Sequence, residues 1–308
     1  MSSITLEIID SWEIYPYIDD LHELEQHMVY PVDESDNFII SHGSHYHPFF
    51  SDLGAAKFLL LKEKSKVQGI LAGVWRTIDI QQQQARALYL GDLKLAPHLR
   101  GKNLVVNMIW HGIKQLFKRA DLGTWSVVYG VAMRGEKGDV LRSMDQPLHP
   151  SKWLDYHAQF NLYFVPPTQL LELPDNSPAP KPSPHVNFSP DRAQSLFTTR
   201  GTKDFILQST NAPWSLVHLD LASQPSLALH EALKSGAQDA VHSQPADALA
   251  CFAIDKKRRD QIDWLANHGI SSTSTCTLYA MQVHNRWMSP QNPLLQQMHH
   301  AYLATSTI

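Results

Sequence analysis

The chain has 308 residues, 26 lysines and arginines against 30 aspartates and glutamates, a formal charge of −4, and 43% apolar side chains. That is apolar material enough for one large domain or two ordinary ones, and the acidic balance excludes the basic face by which nucleic-acid binders neutralise phosphates. Two cysteines, Cys251 and Cys276, are too few for a disulfide framework or a thiolate metal site, and both sit in apolar runs that read as buried strand positions. No run reaches the ~18–20 apolar residues of a membrane helix. The acidic first ten residues lack the basic region of a signal peptide, so the expectation is a cytoplasmic protein.

Residues 4–9 alternate Ile4, Leu6 and Ile8 with Thr5 and Glu7, the period of a short strand. Residues 12–28 set Tyr17, Ile18, Leu21, Leu24 and Met28 at helical spacing, with Pro31 closing the helix. Residues 37–52 read as a polar loop carrying His42, His45 and His47. Imidazoles are common ligands of Zn²⁺, but this spacing matches no metal signature and no carboxylate or cysteine stands alongside, so no metal is expected. Residues 56–62 and 67–80 form a hairpin across a short polar turn, and residues 81–84, all glutamine, form the loop to the next strand.

That strand, residues 85–96, stops at Pro97. The basic turn Leu99-Arg100-Gly101-Lys102-Asn103 follows, and Leu104, Val105, Met108, Ile109, Gly112, Ile113, Leu116 and Phe117 then mark one buried helix face. A strand feeding a helix through such a turn is suited to phosphate. The first N–H groups of a helix lack partners, and its dipole favours an anion there.

Residues 125–133 form a further buried strand, residues 133–139 a turn-rich connection, and residues 140–144 a short helix. Residues 153–164 gather Tyr156, Phe160, Leu162 and Phe164, an aromatic set typical of a core. Prolines crowd residues 166–184, which excludes helix and central strand and reads as a linker. The expected division is residues 1–166, a linker at 167–190, and a smaller domain at 191–308. In the last part, strands are expected at 204–208, 214–219, 246–254 and 275–283. Helices are expected at 225–240 and at 255–269, the latter ended by Gly269. The basic run 256–259 reads as a solvated helix start.

The strand–Pro–turn–helix unit resembles the acyl-CoA-binding motif of the GNAT superfamily of N-acetyltransferases, Gln/Arg-x-x-Gly-x-Gly/Ala. The matching run is Arg100-Gly101-Lys102-Asn103-Leu104-Val105, with Asn103 and Val105 at the two small-residue positions. Asn tolerates the left-handed backbone that Gly supplies there, whereas Val does not. Gln68-Gly-Ile-Leu-Ala-Gly-Val-Trp75 resembles the strand that precedes the motif strand in that family.

The resemblance implies an α/β (α+β) fold, a mixed sheet flanked by helices, with the C-terminal part a degenerate second GNAT-like domain that has lost its CoA turn. It implies acetyl-CoA as cosubstrate. Main-chain groups of Leu93, Lys94 and Leu95 would bind the pantetheine arm as an added strand. Arg100, Gly101, Lys102, Asn103 and Leu104 would hold the pyrophosphate, mostly through N–H.

The implied reaction moves an acetyl group directly to a primary amine in a ternary complex. It requires a base for the amine, donors for the oxyanion and a proton for the thiolate. Asp92 is either that base, for which burial would have to raise its pKa, or a structural acceptor of loop N–H groups. Tyr129 or Tyr156 would protonate the thiolate. The acceptor would lie against residues 12–52 and 137–157, whose mixed charge favours no substrate class. Two other readings stay open: a non-catalytic acyl-CoA- or ligand-binding protein, and a metal-dependent hydrolase built on the His42–His47 stretch.

Overall fold

The computed structural model describes residues 4–31, 36–119, 122, 125–135, 138–139, 155–179, 183–189, 196–199, 202–221, 226–282 and 294–308. Strand β1 (Ile4–Asp10) runs into a helical stretch that is 3-10 over Ser11–Tyr17 and α-helical over Ile18–Gln26 (α1). Pro16 accounts for the split, because it has no N–H to give and its ring crowds the preceding turn. Strands β2 (Val29–Pro31) and β3 (Asn37–Ser41) pair antiparallel, and α2 (Tyr46–Leu53) follows. The loop expected over residues 37–52 is therefore a strand and a helix. Phe38 and Ile40 alternate into the core, and Tyr46, Phe49, Phe50 and Leu53 recur at helical spacing beneath the interspersed His and Ser.

Strands β4 (Ala55–Glu63), β5 (Lys66–Ile80) and β6 (Gln83–Leu95) form an antiparallel meander. Gln81 and Gln82, at φ +52° and +67°, close the second hairpin in two residues, so the other two glutamines extend the strand. Helix α3 (Leu104–Lys118) carries the chain to β7 (Val127–Gly135), which lies parallel to β6, and β8 (Gly138–Asp139) folds back on its end. The expected helix at 140–144 lies outside the described residues.

Strand β9 (Tyr156–Val165) leads to α4 (Pro167–Leu171) and β10 (His185–Asn187). Thereafter come β11 (Leu196–Thr198), β12 (Asp204–Leu207), β13 (Pro213–Trp214) and β14 (Leu216–Leu219). The chain ends with α5 (Leu229–Ser243), β15 (Leu249–Asp255), α6 (Arg259–Asn267), β16 (Ser274–Gln282), β17 (His300–Tyr302) and a 3-10 turn at Thr305–Thr307. Cys251 and Cys276 are buried and free, as their strand positions implied.

Among the described residues the main sheet runs β1-β4-β5-β6-β7-β16-β9-β15-β14-β11. The unit β6–α3–β7 recurs as β14–α5–β15: in each, two parallel strands are joined through a helix. Each half lends its next strand to the other, β9 pairing with β15 and β16 with β7, and the two lent strands pair with each other. Strand pairing therefore crosses the expected boundaries at 166 and 190. Strand β16 buries Cys276, Leu278 and Ala280 and finds both its neighbours in the first half of the chain, while β10, inside the expected linker, pairs with β5 and β17. At the last paired rung of β14 and β15, His218–Cys251, Thr305 bonds to both strands. Its hydroxyl is 2.9 Å from His218 Nδ1 and donates to the Cys251 carbonyl at 3.2 Å, and Leu303 to Ser306 are buried around it. The chain's own tail thus packs against the second half's counterpart of the strand pair described next.

Candidate active site: a fork between two parallel strands

Strands β6 and β7 pair only from Ala87–Val127 to Leu90–Gly130. Past that rung β6 continues along β5, β7 continues along β16, and the two part company. The cause is local. Ile70 pairs with Lys94 and Ala72 with Gly91, so Asp92 and Leu93 together face the single residue Leu71. This is a β-bulge, with Asp92 in the left-handed region at φ +52°, and a bulge bends its strand away from a neighbour. Glycines stand on both arms. A Cβ at Gly130 would come within 2.9 Å of the Leu90 carbonyl oxygen, and one at Gly91 within 2.5 Å of the Tyr89 hydroxyl.

A cavity of about 340 Å³ occupies the fork, lined by Gly91, Asp92 and Leu93 on one arm and Val131, Ala132 and Met133 on the other. Tyr89 and Tyr129 lie at its base, and His42 with Phe49 and Phe50 closes one side. The bulge turns Asp92 toward the face that carries Tyr89 and Lys94, where regular alternation would have opposed Asp92 and Tyr89.

The turn before α3 opens at the same end of β6. Gly101 (φ +75°) and Asn103 (φ +56°) are both left-handed, the conformation for which Asn substitutes for Gly. The first hydrogen bond of the helix runs from Asn107 N–H to the Asn103 carbonyl, and no side chain caps the helix. The amides of Asn103, Leu104, Val105 and Val106 thus precede the helical ladder. Val105 does not block them, since its side chain packs against the cluster of Leu59, Leu61, Leu71, Leu95, Leu99 and Met108. Arg100 serves differently from expectation. Its guanidinium donates to the carbonyls of Leu95 (3.2 Å) and His27 (3.3 Å), tying the turn to the end of α1. Lys102 stays exposed.

Lys94 was expected to offer main-chain groups, and its side chain does more. Only 2% exposed, it ion-pairs with Asp92, donates to the Tyr46 hydroxyl at 2.8 Å and lies 3.5 Å from Glu25 Oε1. Burial alone would raise the Asp92 pKa, but Lys94, with help from His42, holds it below the usual carboxylate range. Asp92 is thus a committed counter-charge and lacks the raised pKa a base would need.

Glu25 sits in the same cluster. Burial works to raise its pKa, and the hydrogen bond from His42 together with the charge of Lys94 lowers it on balance. His42 brings Nδ1 within 2.8 Å of Glu25 Oε1, and its main-chain N–H donates to the same oxygen at 3.1 Å.

The two tyrosines separate. Tyr129 lines the cavity, accepting from Arg76 and donating to the Phe188 carbonyl, both at 3.3 Å. Tyr156 does not line it. Its ring stacks on Phe188, which also packs against Tyr129. The three histidines also disperse. His42 turns to Glu25, His47 bonds the Ser11 hydroxyl at 2.9 Å, and no group of three metal-ligating side chains occurs among the described residues. This arrangement lends the hydrolase reading no support. Glu25, the carboxylate that sequence spacing could not supply, arrives from α1.

No protein-family model and no curated protein sequence matches the chain. Solved structures do. The N-myristoyltransferase of Saccharomyces cerevisiae, determined with bound myristoyl-CoA, aligns with 98% of this chain and 90% of its own at a TM-score of 0.51 and 12% identity. The chain has the GNAT fold. A tandem GNAT protein from the clavulanic acid biosynthesis pathway aligns with 91% of this chain and 98% of its own (TM-score 0.49, 10% identity). A GNAT family N-acetyltransferase from Escherichia coli in complex with CoA aligns with 43% and 64% (TM-score 0.30, 13% identity). At these identities the likeness is one of fold, so residue roles in this GNAT fold rest on its own geometry. Sequence reasoning located the strand and the turn that border the fork. It missed Glu25 and Tyr46, and it placed His42 in a loop, because these groups come from separate elements that only the folded chain unites.

Proposed function

We propose that the fork is the substrate cleft of an acyl-CoA-dependent N-acyltransferase, which moves an acyl group, acetyl in the simplest reading, to a primary amine within one ternary complex. The observation that supports it is the parting of β6 and β7 beside the uncapped start of α3. An extended pantetheine arm can pair with the β6 edge at Leu93 to Leu95, which has no β7 partner there. The diphosphate then meets the amides from Gly101 to Val106. Asp92 and Lys94 shape the cleft as an ion pair, Arg100 braces the turn, and Tyr129 is the candidate to relay a nitrogen proton to the departing thiolate.

A second reading, transfer of a longer acyl chain, is favoured by an apolar cavity of about 170 Å³ between α3 and the sheet. It shares Leu71, Leu90, Ile109 and Val128 with the fork.

Calorimetric titration with acetyl-, hexanoyl- and decanoyl-CoA tests both readings. Binding of all three is expected. If the second cavity takes the chain, affinity rises by up to about fourfold per added methylene, the equivalent of ~0.8 kcal/mol. Equal affinities would leave acetyl as the group, and no heat at near-millimolar ligand would overturn the function. A non-catalytic binder would bind acyl-CoA yet release no CoA thiol with any primary amine.

A further inference from the structure

His42 is 2% exposed and lines the fork, packed among the rings of Tyr46, Phe49 and Phe50 at centroid distances of 4.5 to 5.5 Å. Its Nδ1 faces Glu25 Oε1, and an ionised carboxylate only accepts, so Nδ1 carries the proton and Nε2 holds the lone pair. That Nε2 is buried with no partner among the described residues. The same holds for Asp92 Oδ2, whose residue lines the cavity, and for Glu25 Oε2 beside it. Three buried acceptors without donors in one cluster are rare in a folded protein. They fit a ligand that brings several N–H groups and a positive charge, and an alkylammonium ion does both.

The geometry points to His42 Nε2 as the general base that takes a proton from the acceptor's ammonium group, with Glu25 as the positioning residue that fixes its tautomer. This rests on the acyltransferase reading. His42 removes one proton from R–NH₃⁺, and the freed lone pair forms a C–N bond to the thioester carbonyl carbon. The C–S bond then breaks, with its electron pair leaving on sulfur, and a second nitrogen proton passes to that sulfur. The products are the amide, CoA thiol and one proton on His42, which returns to solvent.

The groups facing the imidazole are consistent with a neutral resting ring. Burial lowers its pKa below the ordinary 6.5. Glu25 from α1 and Asp92 from β6 oppose that, and Lys94 from β6 supports it. Tyr46 from α2 packs on the ring as a neutral phenol, its own pKa pushed up by burial.

The test compares His42→Gln, His42→Ala and Glu25→Gln with the parent chain in CoA-thiol release from acetyl-CoA, each variant first shown to melt cooperatively above the assay temperature and to bind acetyl-CoA. Two acceptor classes are used: alkyl primary amines, protonated at pH 7, and hydroxylamine, already neutral there. The His42 variants should lose at least 100-fold in kcat/KM with the alkylamines and much less with hydroxylamine. The low-pH limb of the parent's profile, below about 6.5, should disappear with them. Glu25→Gln should lose about tenfold and move that limb. Equal losses with both acceptor classes, or none, would overturn the assignment.

Nitrogen NMR of the imidazole adds a readout that needs no turnover. Nε2 should be the unprotonated nitrogen at pH 7, and its resonance should shift when n-butylamine is added to the acetyl-CoA complex. Acetyl-CoA binding with an unmoved His42 signal would reject the base and leave the acyl-CoA site standing, whereas no acetyl-CoA binding would remove both.

Discussion

Lys94 shows how one side chain can set the character of a cleft. Between Asp92 and Glu25 it allows two carboxylates to stay ionised where water is excluded. Lys94→Met would leave them facing each other unpaired, a loss on the order of 3–5 kcal/mol at pH 7. Their pKa values would then rise, so protonation would recover part of the loss at acid pH. In the parent chain Asp92, Glu25 and His42 all have folded-state pKa values below their ordinary ones. The unfolded chain therefore binds protons first. Stability is fully present above about pH 6.5 and falls on acidification, through His42 and then through the carboxylate range. Melting temperatures at pH 7, 5.5 and 4 should fall in that order, and His42→Gln should flatten the first step. A melting temperature that rises toward pH 5.5 would contradict this. Asp92 and Lys94 stand two apart on a legible strand, so their neighbourhood could be read from the sequence. Their ionisation could not, because Glu25, His42 and Tyr46 come from three other elements.

At the scale of the element, the strand, turn and helix were legible because each has a local cause. Pro97 stops β6, Asn103 accepts a left-handed backbone, and the apolar face of α3 repeats at helical spacing. Val105 was the ambiguous position, since a branched residue at a glycine site could have filled the turn. Its packing on the Leu59–Met108 cluster resolves the point in favour of an open turn. Val105→Ala should accordingly leave acetyl-CoA affinity within about twofold while costing about 1 kcal/mol of stability through the lost packing. Tighter binding on truncation, measured by calorimetry, would show that the side chain does intrude. The polar stretch after β2 was misread for a physical reason too. Asn37 and Ser41 on the strand, and His47, Ser51 and Asp52 on the helix, hide both periods from a composition-based reading.

Across the whole molecule, the two halves repeat one topology and exchange a strand. The sheet is therefore continuous across the proline-rich stretch. Strand exchange leaves no mark in sequence, because β9 and β16 look the same whichever neighbour they take. The corresponding places differ: Thr305 bonds to both strands at the last rung of β14 and β15, whereas β6 and β7 part beside Gly91, Asp92 and Gly130 around a cavity. The account depends on ligand entering that open fork, and amide hydrogen exchange with and without acetyl-CoA tests this directly. Saturating acetyl-CoA should slow exchange at residues 91–95, 101–106 and 131–133, and leave residues 216–219 and 249–255 unchanged. Binding that protects other segments while these three exchange as before would contradict the central claim.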